Sequence, residues 1–312
     1  MTFSTFLKLV DIKAKLAGLF PFIIGCLFVL YRYDTFNLIN TVLFFISMAL
    51  FELATTAINN YMDYRKATSD TYRRRENIIG QQNIPEWLVI SIIISLVAAA
   101  TVMGILLVLR TDLVVLLAGA ACFAIGILYS FGPIPLSRMP LGEIFSGVTE
   151  GFGVFFLVVY SNAFNQGIAS LVWQGRTITL RADILLLFEI VLVSMPCMFT
   201  IANLMLANNI CDLDDDIKNK RFTLVYYIGK KYALWLFDGL YAVSFAAIIA
   251  AVLLKILPPV MLLVLIAVIP VFRLVRQFNK KQTKSKTFLV AVKSLVWINS
   301  TVALLLLVSV IF

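Results

Sequence analysis

Residues 184–224 decide the reading: ILLLFEIVLVSMPCMFTIANLMLA, then without a break NNICDLDDDIKNKRFTL. A helix needs about 20 mostly apolar residues to cross the hydrocarbon of a bilayer, and residues 184–207 provide them. If the helix continues past Asn208, then Asn208, Asp212 and Asp216 fall on every fourth residue and share a face. An amide and two carboxylates would then stand together where the helix leaves the membrane. The same pattern occurs 149 residues earlier, where Asn59 and Asp63 follow another apolar run.

Four acidic groups within five residues, Asp212, Asp214, Asp215 and Asp216, repel one another beside an apolar span. Mg²⁺ is a hard cation that takes oxygen ligands, keeps several waters and shares one or two carboxylates with substrate phosphates. Carboxylates on facing helices would hold such an ion against a diphosphate. One acidic cluster is equally well a solvated loop capping a helix. Its recurrence at the end of a second span favours a site, because ionisable groups beside membrane spans are rare.

Composition sets the class. Of 312 residues, 61% are hydrophobic and 14% charged, with a mean hydropathy of +0.96. Soluble domains are nearer 45–50% apolar and about 25% charged. The apolar runs are long and lack the alternation of barrel strands, so the chain reads as an all-helical integral membrane protein. Residues 1–15 are amphipathic, with no cleavage pattern after the first apolar run, so the first span is expected to stay in the mature protein. Cys26, Cys122, Cys197 and Cys211 form no C-x-x-C pair and imply neither a disulfide framework nor zinc. The absence of histidine excludes Ser-His-Asp catalysis, haem ligation by His and His-based metal sites. That absence favours an oxygen-ligated metal.

Nine spans are expected, at roughly 16–33, 38–58, 88–109, 112–130, 143–161, 184–207, 232–254, 257–275 and 291–311. They form one polytopic domain over 1–312, with one four-helix repeat at about 10–130, a second at about 140–275, and a last helix. With the N-terminus in the cytoplasm, 21 of the 26 Lys and Arg fall on inner segments, as the positive-inside rule requires. The C-terminus is then outside, and both acidic clusters face the cytoplasm at the ends of the second and sixth spans. A cavity open near that face is expected between them. The net charge of +9 is mostly this inner excess. It does not imply nucleic-acid binding, since no soluble domain presents a groove. The sequence points to no obligate protein partner.

Arg65, Lys66, Arg73, Arg74 and Arg75 follow the first cluster and suit a diphosphate, though for any one of them the inside-positive rule is the better explanation. Glu52, Glu143 and Glu150 lie within or beside spans and are either functional or neutral, hydrogen-bonded structural groups. Asn203 lies off the acidic face and suits interhelical bonding. The turn Tyr129-Ser-Phe-Gly-Pro-Ile-Pro135, with Pro140-Leu-Gly-Glu143, is either a plain reversal or one whose Tyr129 and Glu143 line a cavity.

The pairing of Asn59-x-x-x-Asp63 with Asp212-x-x-x-Asp216, each after an even-numbered span, resembles the UbiA superfamily of intramembrane aromatic prenyltransferases. Three stretches resemble its 1,4-dihydroxy-2-naphthoate branch. These are Asn208-Asn209-x-x-Asp212-x-x-x-Asp216 with Lys220-x-x-Thr223-Leu224 and Gly229, Tyr129-x-x-Gly132-Pro133-x-Pro135, and Gly142-Glu143-x-Phe145. Lys13 falls where the family has a basic residue. The resemblance implies transfer of a polyprenyl group from its diphosphate to an aromatic acid. Mg²⁺ would be held by Asn59, Asp63, Asp212 and Asp216. Lys13, Arg65, Lys66, Asn208 and Lys220 would stand near the diphosphate, with Tyr129 and Glu143 at the cavity. Other aromatic acceptors remain open, and so does a transporter, since transporters also use repeats and helix-end carboxylates.

Overall fold

The structure, a computed structural model, describes residues 1–11, 16–67, 72–132 and 135–312. Helices α1 (Phe3–Leu9), α2 (Leu16–Tyr33), α3 (Leu38–Lys66), α4 (Ile78–Gln81), α5 (Glu86–Arg110) and α6 (Leu113–Ser130) make the first half. Helices α7 (Gly142–Ser146), α8 (Val154–Ala163), α9 (Ile184–Lys218), α10 (Leu224–Leu253), α11 (Val268–Lys280) and α12 (Phe288–Ile311) make the second.

Eight segments among the described residues are long and apolar enough to cross a membrane: α3, α5, α6, Gly142–Ala163, α9, α10, Pro259–Lys280 and α12. The first of the nine expected spans is a shorter apolar helix, Ala17–Tyr33. Large apolar side chains such as Ile94, Leu109, Leu253 and Leu304 point outward from the bundle. With backbone bonds satisfied inside each helix, this is the surface an integral membrane protein presents to lipid.

The expectation of helix throughout fails at one place. Strands β1 (Ala169–Gln174) and β2 (Thr177–Ala182) form an antiparallel hairpin between α8 and α9. Gln174 pairs with Thr177 across a two-residue loop whose Gly175 has φ +59°. Glycine at the first loop position suits the type II′ turn, whose twist matches the strands it joins. The residues S-L-V-W-Q-G-R-T-I-T-L-R alternate on both sides of that turn, a strand period too short to register beside runs of 20 apolar residues.

The fifth span is also not one regular helix. A π-helical stretch, Gly147–Gly153, joins α7 to α8. Its Gly147 and Gly151 lie against α9. A Cβ on Gly151 would fall 2.5 Å from Met198 Cα, and one on Gly147 would fall 2.7 Å from Met198 O. Small residues four apart let two backbones approach where lipid offers no hydrophobic drive for helix association. Polar side chains tie α9 to its other neighbours. Asn203 Nδ2 donates to Phe237 O of α10 at 2.9 Å, and Asn299 Nδ2 of α12 donates to Thr200 Oγ1 at 2.8 Å.

Contacts between segments sort the bundle into two ends. At one end Arg32 pairs with Glu189 at 2.8 Å, Asn162 accepts from Asn37 N, and Arg110 donates to Asn40. Tyr160 there lies between Asp112 and Ala169 O. At the other end Asn60 donates to Leu9 O, Phe222 N to Arg138 O, and Lys284 to Asp212.

Candidate active site

Helix α9 does run past its apolar stretch, and Asn208, Asp212 and Asp216 share its face. It stops at Asn219, whose N–H bonds Asp215 O at 3.1 Å. Lys220 then takes a left-handed φ of +54°. That reversal returns Arg221 toward the helix, so that Arg221 N donates to Asp216 O at 2.8 Å and its Nε lies 3.5 Å from Asp216 Oδ1. Phe222 N donates to Arg138 O at 3.1 Å, fastening the reversal to the short 3₁₀ turn Leu136–Arg138. Arg138 and Arg221 thereby become neighbours.

The two acid-bearing helix ends meet around this pair of guanidinium groups. Asp63 of α3 lies within electrostatic range of Arg221, Arg138 and Lys66, and Arg138 within range of both Asp63 and Asp216. Burial, and then Arg221 beside it, push the Arg138 guanidinium below its ordinary value, while the two carboxylates act the other way. Asp216 is buried, and its Oδ2 has no hydrogen-bond partner among the described residues. Farther along the α9 face, the Lys284 ammonium bridges Asn208 Oδ1 and Asp212 Oδ2 and lies 5.4 Å from the Phe288 ring centroid.

Beyond the acids, toward the membrane interior, lies an apolar cavity of about 640 Å³ among α3, α5, α6 and the fifth span. Asn59, Tyr129 and Ser130 line it. Asn59 Oδ1 accepts from Ser130 Oγ at 3.0 Å. Glu143 is buried next to this region and accepts from Asn209 Nδ2 at 2.8 Å.

The structure thus brings Asp63, Lys66, Asn208, Asp212 and Asp216 to one end of the bundle, with Asn59 and Tyr129 at the cavity. Arg65 does not join them. Two residues beyond Asp63 it sits about 200° around the helix, and it pairs with Glu86 at 2.9 Å. Lys220 is exposed on its turn. Lys13, Asp70 and Pro133 lie outside the described residues. Sequence reasoning missed Arg138, Arg221, Lys284 and Asn209. Only Asn209 carried a signal, standing beside Asn208. The three cations were indistinguishable from other inside-facing positive charge.

Asn208, Asp212 and Asp216 offer oxygen ligands on one face of α9, and Asp216 Oδ2 is buried without a hydrogen-bond partner among the described residues, which suits a hard divalent cation. Among the described residues no three acidic, Cys or His side chains gather into a ligand set of their own. A cation here would be shared between the carboxylates and a bound anion.

A helical bundle with acids and guanidinium groups at one end and an apolar chamber beneath them defines a membrane enzyme for a lipid with a charged head. The chain belongs to the UbiA prenyltransferase family, whose sequence profile matches residues 18–297, and it is a prenyltransferase. That membership replaces the transporter reading. The chain is similar to 1,4-dihydroxy-2-naphthoate octaprenyltransferase of Bacillus subtilis (strain 168), with 24% identity over 292 residues, 93% of this chain and 86% of that one. Its fold matches an apo UbiA homologue from Aeropyrum pernix K1 (TM-score 0.70, 16% identity, 94% of this chain and 98% of that one). It also matches a UbiA homologue from Archaeoglobus fulgidus bound to GPP and Mg²⁺ (TM-score 0.68, 15% identity, 99% of this chain and 100% of that one).

Proposed function

We propose that this enzyme joins a polyprenyl group to 1,4-dihydroxy-2-naphthoate in menaquinone biosynthesis. The carbon–oxygen bond of the prenyl diphosphate breaks and diphosphate leaves, a ring carbon takes the allylic carbon, and the ring carboxylate is lost as CO₂, which gives the quinol form of demethylmenaquinone; a separate two-electron oxidant is needed to convert it to the quinone. The observation that carries the reading is the meeting of Asp63 with Asp216 around Arg138 and Arg221, above the cavity.

Asp63, Asp212, Asp216 and Asn59 would hold Mg²⁺, which when bound supplies Lewis-acid stabilisation of the departing diphosphate. Arg138, Arg221 and Lys66 stand where phosphate oxygens would lie, and Arg does this with a bidentate fork. Lys284 occupies the α9 carboxylate face without substrate, and moves onto phosphate when the diphosphate arrives. Lys13 and Lys220 are nearby in sequence and can add charge. The apolar cavity takes the first prenyl units and keeps water from the allylic cation. The Tyr129 ring at its polar end stabilises that cation through its face. Asn209 orients Glu143 toward the acceptor.

Nine crossings follow if Ala17–Tyr33 also spans. Its chain direction supports this, since Leu9 lies at the acid end and Arg32 at the opposite end. Two four-helix repeats account for the matching positions of α3 and α9. The cytoplasmic face is the acid end, by the inside-positive rule.

The test is to feed membranes containing the enzyme a labelled polyprenyl diphosphate with a panel of aromatic acids, and to identify the lipid product. A prenylated, decarboxylated naphthoquinol, or the quinone it gives on air oxidation, supports the reading, and exclusive use of 4-hydroxybenzoate or homogentisate overturns the acceptor. Chelation of divalent metal should abolish turnover and Mg²⁺ restore it. Full activity in excess chelator would remove the metal.

A further inference from the structure

The hairpin between α8 and α9 is amphipathic by register. Partners across an antiparallel pair share a face and successive residues alternate. Leu171 pairs with Leu180 and Trp173 with Ile178, which makes one face apolar. Ser170 pairs with Arg181, Val172 with Thr179 and Gln174 with Thr177, which makes the other face mostly polar. The apolar face is not covered by protein: Trp173 is 66% exposed, and Ile178 and Leu180 are each 63% exposed.

Three observations say what covers it. First, Leu171 at the base of this face packs on the main core, so the apolar face is the one turned toward the bundle, and beyond the bundle's edge it overhangs the surrounding membrane. Second, the face is continuous with lipid-facing helix, because Ile184, Leu185 and Phe188 at the start of α9 are apolar and exposed directly after β2. Third, the Trp173 indole N–H donates to Gly175 O at 3.0 Å, which leaves its ring without a polar group to solvate. The base is fixed rather than swinging. Asp183 N donates to Ile168 O at 3.0 Å, and Ala169 O contacts the buried Tyr160 hydroxyl at 2.8 Å.

We propose that this hairpin is a membrane-interface paddle. Its Leu171, Trp173, Ile178 and Leu180 face lies in the headgroup–acyl boundary of the leaflet opposite the acidic site, with Arg176 and Arg181 beside lipid phosphates. Aromatic rings and basic side chains are the groups that settle at that depth. It acts as an anchor that fixes the height of α9, the helix carrying Asp212 and Asp216, in the bilayer.

The test uses intact enzyme, one copy per nanodisc, and the emission lost on Trp173→Phe as the Trp173 signal. Lipids brominated near the carbonyl end of the acyl chain should quench most of that signal, and aqueous iodide little of it. In the Trp173→Phe background, Ile178→Trp should restore a lipid-quenched signal, while Thr179→Trp, on the other face, should give one quenched by iodide. If Trp173→Phe fails to insert, the same lipid and iodide quenching of Trp173 is read in the enzyme with Trp87, Trp235 and Trp297 changed to Phe. Iodide-accessible emission from Trp173 and Ile178→Trp would overturn the proposal. So would a Trp173 signal protected from both quenchers, which would mean protein covers the face.

Discussion

At the residue scale, cations hold the acidic groups apart from one another. Asp216 is buried against Arg221, and the half-buried Asp212 pairs with Lys284. Removing one partner leaves an uncompensated charge and removes a ligand for the substrate's head. Asp216→Asn and Asp212→Ala should therefore each lower kcat by about 100-fold or more, the cost typical of losing one preorganised electrostatic group. Turnover of labelled prenyl diphosphate in proteoliposomes checks this, with circular dichroism to show the helices intact. The cations separate in a way the sequence does not reveal. Arg138→Gln should raise KM for the prenyl diphosphate about tenfold, as expected for a charged hydrogen bond. Arg65→Gln should change KM by less than about threefold, because Arg65 turns away from Asp63 and is held in an exposed pair by Glu86. Equal effects at the two positions would mean that Arg138 is not at the phosphate. Lys284→Gln should behave like Arg138→Gln, raising KM with little change in kcat; a matching loss in kcat would instead place Lys284 in the chemical step.

At the element scale, long periodic segments could be read and local irregularities could not. The acid faces were visible in the sequence because an i, i+4, i+8 pattern means the same thing whatever packs around it, and α9 runs on to Lys218 as that pattern needs. Arg138, Arg221 and Lys284 were invisible because their placement depends on a left-handed Lys220, a bond from Phe222 to Arg138 O and a distant loop. The hairpin was hidden by the apolar background, and the π-helical stretch Gly147–Gly153 by its shortness, since seven residues do not distinguish an i+5 from an i+4 repeat. That stretch fixes the spacing between the fifth span and α9. Gly151→Ala would press a methyl against Met198 backbone, which cannot move without shifting α9. It should destabilise the fold by about 1–3 kcal/mol, the cost of overpacking, seen as a lower unfolding temperature in detergent. Because Asn209 and Glu143 bond across the same helix pair at 2.8 Å, activity should fall at temperatures where the fold is still intact. A Gly151→Ala enzyme with unchanged stability would show that the two backbones have room.

At the scale of the whole molecule, sidedness has two components with different origins. Which segments share a face is set by contacts. Lys284, between α11 and α12, touches Asp212 at the end of α9, and Arg138, between α6 and α7, lies near Asp63 at the end of α3. Arg32, Arg110 and the hairpin meet at the other end, with Arg32 on Glu189 and Arg110 on Asn40. These groupings match the two sets of segments sorted by position along the chain. The proposal that the acid end is cytoplasmic rests on charge alone, since 21 of the 26 Lys and Arg fall on the segments assigned to the inside along the sequence. Lys and Arg in short loops resist translocation, and so uneven a division favours that orientation. Thr177→Cys, on the polar face of the hairpin, should therefore react with a membrane-impermeant maleimide added to intact cells. Lys286→Cys, in the loop that carries Lys284, should react only after permeabilisation. Each is read against the parent enzyme, whose own four cysteines set the background. The reverse pattern would leave the site's geometry standing but invert the molecule, requiring the diphosphate to arrive from outside the cell. Labelling of both positions from outside would break the grouping of segments itself, since Lys286 is two residues from the side chain that holds Asp212.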